Sequence, residues 1–237
     1  MFASLVATMA SHGGRAETPC TIPGSLSLRD ITLPFARQAA IADRRLIVLT
    51  FGGVMPPHSD AVPRDATYPA RLGAELSAAL PTIKITVENE APPGKTAADV
   101  PAVLPDLIAK TGARLVIWGP GSRDAAAHLD LPAFSKALNL GIDAVRHAGA
   151  DLILLDTTFV PSPARMTQIE GYRQKLLSAA SANLVPLLHR HDLMRRWSED
   201  GTLNMGAREP AEQAQVARNL YACVARALAE PIAAAVR

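Results

Sequence analysis

Residues 46–55 read Leu-Ile-Val-Leu-Thr-Phe-Gly-Gly-Val-Met. A run of apolar residues that stops abruptly at paired glycines reads as a buried strand delivering a site, because in an open α/β sheet ligands and catalytic groups collect at the carboxyl ends of the strands. This strand runs directly into Gly52, Gly53 and Val54. None of them carries a group that can attack a substrate or move a proton. The rest of the chain has to say whether this is an enzyme or the shell of one.

Working outward, helical and strand patterns alternate. Upstream, Thr21–Asp43 reads as an arm and one short helix. Downstream, residues 52–67 carry Pro56, Pro57 and Pro63 among small and polar residues, which is loop composition. Leu72, Leu76 and Leu80 then recur at helical spacing. A β-branched strand is read over 83–89, and a loop over 89–96 leads into a helix running to about Lys110. Thr96 and Asp99 form a candidate capping box, Gly112 a candidate C-cap, and Pro101 and Pro105 allow a kink or a later start. Further strands are read at 114–118, 151–155 and 183–188, with helices over 134–148, 166–182 and most of the chain from Asp192, broken around 199–206. Strict β-α alternation implies right-handed crossovers and a parallel sheet covered on both faces. The expected fold is a three-layer α/β/α, flavodoxin-like sandwich with a five-stranded parallel sheet.

Composition agrees with that packing. The chain is 49% hydrophobic but only 4% aromatic, which suits aliphatic helix-on-sheet layers better than an aromatic-lined barrel. A net charge of +2, from 24 basic and 22 acidic residues with no clustered run, leaves no electrostatic footprint for nucleic acid. Arg195 and Arg196 read as a solvated helix face. At the start, an apolar run over 2–10 and then Gly13-Gly14-Arg15-Ala16 resemble a secretory signal cleaved after Ala16, although no Lys or Arg precedes it. The alternative is a frayed terminus packing a few apolar side chains. The run is too short to span a bilayer, which takes about 20 apolar residues. The expected organisation is thus a signal-like segment at 1–16, an arm and helix at 17–45, and the α/β domain at 46–237, in a periplasmic or secreted protein. The two cysteines, Cys20 and Cys223, allow one bridge between the arm and the last helix if the protein is exported; otherwise they read as two small buried hydrophobes.

The first strand with its glycines, then residues 67–80 (TYPARLGAELSAAL), 87–100 (VENEAPPGKTAADV) and 115–125 (LVIWGPGSRDA), together resemble the successive blocks of the SGNH (GDSL) hydrolases. The resemblance runs from about Pro19 to Ile232. It is closest to exported bacterial members with an N-terminal cysteine arm and a Tyr-Ala-Cys helix, here Tyr221-Ala222-Cys223. It implies an esterase fold with a serine after the first strand, oxyanion donors from a glycine after the second strand and an asparagine after the third, and a late Asp-x-x-His. Carried over by position, Gly94 and Gly121 fill the glycines and Arg123 stands at the asparagine. The nucleophile position falls on Gly53 or Val54. Counting back from Tyr221 puts Glu212 at the aspartate and Gln215 at the histidine; matching Asp200-Gly-Thr-Leu203 instead puts a leucine there.

The departures agree with one another, since a glutamine cannot take a proton from a serine and no serine stands there to need it. The expectation is a non-catalytic binding or accessory protein for an envelope glycan or polysaccharide system. Arg123 beside Gly94 and Lys95 would suit a carboxylate or an acidic sugar, and the alternative is that it pairs with Asp124 or Glu212. The second reading is an active esterase or acyl transferase whose nucleophile has moved. Its candidates are Ser122 with His189 or His191 after the fifth strand, or Ser59 beside His58 in the first loop. Spacing suggests no metal centre, His189-x-His191 alone being weak, and the glycines do not form a dinucleotide fingerprint, so no cofactor is expected.

Overall fold

A computed structural model describes residues 20–52, 62–90 and 95–237. Its elements are α1 Pro34–Ala42, β1 Arg45–Gly52, α2 Tyr68–Ala79, β2 Lys84–Glu90, α3 Val100–Thr111 and β3 Leu115–Gly119. Next come α4 Ser122–Ala126, α5 Leu131–His147, β4 Asp151–Leu155, α6 Pro163–Ala182, β5 Leu187–Leu188, α7 Arg190–Glu199 and α8 Pro210–Val236. The five strands form one sheet in the order β2-β1-β3-β4-β5, with every pairing parallel. This is the flavodoxin-like sandwich that the β-α alternation predicts.

The central strands show how the two helical layers are held. Along β1, Leu46 and Val48 enter the cluster built with α1, α2, α7 and α8, whereas Leu49 and Phe51 enter the cluster built with α3, α5 and α6. Leu115 and Ile117 of β3 join the first cluster, Val116 and Trp118 the second. Period-two alternation between two apolar faces is why these strands read as continuous hydrophobic runs. Capping fixes where the neighbouring helices begin and end. The Thr96 N–H donates to Asp99 Oδ2 at 2.8 Å in the anticipated capping box, and Gly112 stops α3 with φ 71°.

Two elements differ from the sequence reading. The fifth strand shrinks from an expected 183–188 to Leu187–Leu188, which pair only with Leu154 and Leu155. Leu184 has a left-handed φ of 53°, and Pro186 has no N–H to donate, so the earlier residues cannot extend the ladder. The short helix α4, directly after β3, lies where the sequence reads as a loop.

Before α1, the arm is fastened twice. Cys20 is bonded to Cys223 of α8 with Cα atoms 5.4 Å apart, and the Thr21 carbonyl accepts from Trp197 Nε1 at 2.9 Å. The disulfide closes a sequence separation of 203 residues. In the chain-entropy model that is an upper stabilisation of about 5 kcal/mol. Among the described residues, no helix is long and apolar enough to cross a membrane.

Candidate functional site

The site region is the carboxyl edge of the sheet. β1 and β3 run out side by side in glycine, Gly52 pairing with Gly119. Gly52 has φ 67°, and a Cβ on it would stand 3.3 Å from the Gly119 carbonyl oxygen, so a side chain at this strand end would be both strained and crowded. Gly121 is more constrained still, with φ 103° and a Cβ that would fall 2.8 Å from Thr157 Cγ2. Asp124, 1% exposed, organises this corner. It accepts the Gly121 N–H at 2.7 Å and, across to the loop before α3, the Ala97 N–H at 2.6 Å. One carboxylate thereby ties together the loops after β2 and β3.

Of the residues that the sequence singles out, Gly53, Val54 and Gly94 lie outside the described residues, as do His58 and Ser59. Gly52 and Gly121 stand at the carboxyl edge. Arg123 is exposed on α4. Neither pairing considered for it is present, because Asp124 serves the two backbone N–H groups and Glu212 accepts instead from Asn204 Nδ2 at 2.7 Å. Gln215 donates to Asn219 Oδ1, one turn along its own helix, at 2.9 Å. In the other register, Asp200 accepts the Thr202 N–H at 3.0 Å and Leu203 is buried in the core.

The candidate Ser/His replacements are also placed. Ser122 Oγ lies 3.2 Å from Thr158 Oγ1 and accepts the Thr158 N–H at 3.3 Å. His191 is buried with its ring edge-on to Phe159, centroids 5.5 Å apart, and its Nδ1 is 3.5 Å from Asp192 Oδ1. Among the described residues no imidazole is hydrogen-bonded to Ser122. β5, which leads to both histidines, lies at the sheet edge beyond β4.

What the sequence reading misses is a charged network at that edge. Asp156, completely buried after β4, accepts Arg173 Nε at 3.0 Å on one oxygen and the Thr157 N–H at 2.7 Å on the other. Arg173 also donates from Nη2 to Asp192 at 2.7 Å, and the buried Arg190 donates from Nε to the Asp156 carbonyl at 2.8 Å. Burial pushes the Asp156 carboxyl above its ordinary range, against the pull of Arg173. Asp156, His189 and Asp192 bring potential metal-ligand atoms within 4.8 Å of one another. A cation there would have to displace a guanidinium already bonded to both carboxylates. Nothing in local sequence spacing marks Arg173 as the bridge.

Between the ends of β3 and β4 and helices α6, α7 and α8 opens a cavity of about 680 Å³. Ser122 and Thr158 stand in its wall beside Phe159, Met194, Met205 and Val216. Glu212, Gln215 and Arg123 do not line it, whereas Asn204 and Gln213 do.

The parallel sheet in this order, with its glycine-ended strands and a carboxylate clamping the third-block loop, defines the class: an SGNH (GDSL) hydrolase fold. The chain belongs to the Non-GDSL lipase-like family, whose profile matches residues 19–237. No curated protein sequence matches it significantly. Among solved structures it is similar to an Axe2 variant, an acetyl xylan esterase from Geobacillus stearothermophilus, at 17% identity and a TM-score of 0.59, covering 79% of this chain and 94% of that one. A lipase/acylhydrolase from Enterococcus faecalis gives 20% identity and a TM-score of 0.54 over 77% and 94% of the two chains. TesA gives 20% and 0.56 over 77% and 99%. At these identities the likeness is one of fold.

Proposed function

We propose that this SGNH-fold protein does not hydrolyse esters and acts as a binding or accessory protein for an envelope glycan. The observation that carries the reading is Gln215, at the position that the resemblance gives to the family's histidine, donating to Asn219 Oδ1 along its own helix. A hydroxyl without a base within hydrogen-bond reach is a poor nucleophile at neutral pH. Ser122 Oγ instead faces Thr158, and Gln215 is engaged along α8. The sequence supports the same reading, since Gly53 and Val54 stand where the family's serine would be. The glycan draws on the neighbours named as acetyl xylan esterases, and the Cys20–Cys223 bond supports a periplasmic or secreted site of action.

One observation favours the second reading, an esterase or acyl transferase with a relocated nucleophile: Ser122 lines the cavity. Hydrolysis of a short-chain aryl acetate by purified protein, with Ser122→Ala and Ser59→Ala alongside, separates the two. The binding reading expects no turnover above the buffer rate in any of the three. Turnover that either substitution abolishes would overturn it.

A further inference from the structure

We infer that the outer side of β2 is an interface for a second copy of this chain, the two strands pairing antiparallel about Thr86. β2 closes one side of the sheet, and among the described residues Lys84–Glu90 pair with β1 alone. The Lys84 N–H donates to the Arg44 carbonyl at 2.8 Å, so along the strand the even-numbered residues turn their backbone groups to β1. Those of Ile85, Val87 and Asn89 point outward, and among the described residues nothing bonds to them. An open ladder of this kind is a template for another strand unless it is blocked. Here the register with β1 runs unbroken from Lys84 to Glu90, with no bulge and no proline. Gly73 of α2 lies over Val87, where a Cβ would stand 3.4 Å from Val87 Cγ2. Beside it, on the side away from the buried Leu72 and Leu76, helical spacing sets Ala70, Ala74 and Ser77, all exposed, so no long side chain of α2 overhangs the strand there.

What selects a second copy, and this register, is the strand's own pattern of side chains. Lys84 and Glu88 are exposed and share a face, about 13 Å apart at the usual rise of a strand, too far to pair with each other. Neither has an ion pair among the described residues. With the two-fold at Thr86, Lys84 of each copy faces Glu88 of the other. Ile85 faces Val87 on the side that packs against the α1, α2, α7 and α8 cluster, and the two threonines meet on the axis. Ile85 and Val87 are then the hydrogen-bonded pairs that use the outward N–H and C=O groups, while Lys84 and Glu88 fall at the closer, non-hydrogen-bonded spacing. Moving the axis one residue along sets Ile85 against Asn89, and moving it two sets Glu88 against its own copy. Each facing pair is matched in kind only about Thr86. The result is one sheet continuous through both copies, their carboxyl edges facing opposite ways.

Sedimentation velocity of the full, disulfide-bonded chain over a micromolar concentration series should show a monomer–dimer equilibrium, as suits an interface built on one strand. Lys84→Glu and Glu88→Lys should each weaken self-association about tenfold or more, because both Lys–Glu contacts of the dimer become like-charged. Mixed in equal amounts, the two variants should associate with each other about as tightly as the unmodified chain does with itself, since every facing charge is again met by its opposite. That recovery separates a lost contact from a chain that has failed to fold. A monomer at every concentration, a dimer indifferent to either substitution, or a mixture that does not recover association would overturn the inference.

Discussion

The two halves of the carboxyl edge are held by different physics. Around β1, β2 and β3 the buried carboxylate of Asp124 meets only backbone N–H groups, and Gly52 and Gly121 take positive φ values where an added Cβ would be crowded. Around β4 and β5 the buried carboxylate of Asp156 meets a guanidinium, which in turn reaches Asp192. In the first half, loop geometry is set by backbone and glycine. In the second half the charged groups are spent on one another, holding α6 and α7 to the end of β4. A concentration of titratable side chains at a sheet edge is thus a structural clamp here, and the more neutral half is the one whose strands carry the sequence blocks that resemble the family's.

If that contrast is right, breaking the charged half should cost most. Arg173→Met would leave Asp156 without its guanidinium in a fully buried position, and a loss of about 3 kcal/mol in urea unfolding is expected. A loss under about 1 kcal/mol would mean that the network does not clamp this edge. On the neutral half, Gly121→Ala should cost about 1–2 kcal/mol, because a Cβ there combines a φ of 103° with the 2.8 Å approach to Thr157 Cγ2. Adding Thr157→Ser removes that methyl and should recover part of the loss. Failure to recover any would assign the whole cost to backbone strain.

The smallest effect sharpens the comparison at the other end of β4. Asp151 accepts the Ala36 N–H at 2.8 Å and so caps α1, whose own N-cap residue, Leu33, has no side-chain bond to offer. Like Asp124 it meets only N–H groups, and burial, opposed by the Ala36 and Phe35 N–H groups, pushes its pKa up to about 6. With the folded value above the unfolded one, the folded state holds the proton more tightly between about pH 4 and pH 6. The stabilisation from this group is complete below about pH 4 and is lost as pH rises through about 6. Asp151→Asn, which cannot titrate, should therefore show a smaller fall in Tm between about pH 4 and about pH 7 than the unmodified protein. Identical pH dependence in the two would dismiss the effect.

Much of this architecture is legible in the chain itself. Leu46–Phe51, Leu115–Trp118 and Asp151–Leu155 stand out because strands covered on both faces need apolar residues at nearly every position. Thr96 with Asp99, and Gly112, are readable as caps because capping is settled within four residues of chain. The limits of local reading show at Asn183–Leu188, where apolar content suggests a full strand but Leu184 and Pro186 leave two residues to pair. They show again at the candidate site, where counting from Tyr221 selects Gln215 and Glu212, while the cavity wall takes Gln213 and Val216 from the same helix.

The sequence by itself determined the layers, the parallel order and the glycine-ended first strand, and it carried the family resemblance in its blocks. These follow from periodicity, capping and composition, which act over a few residues. Only the tertiary structure decided that Ser122 spends its hydroxyl on Thr158, 36 residues away, and that Arg173 joins Asp156 to Asp192. The same holds for the cavity between α6, α7 and α8. Those contacts depend on where loops of irregular backbone aim their side chains after the sheet has formed, and no short-range pattern encodes that direction.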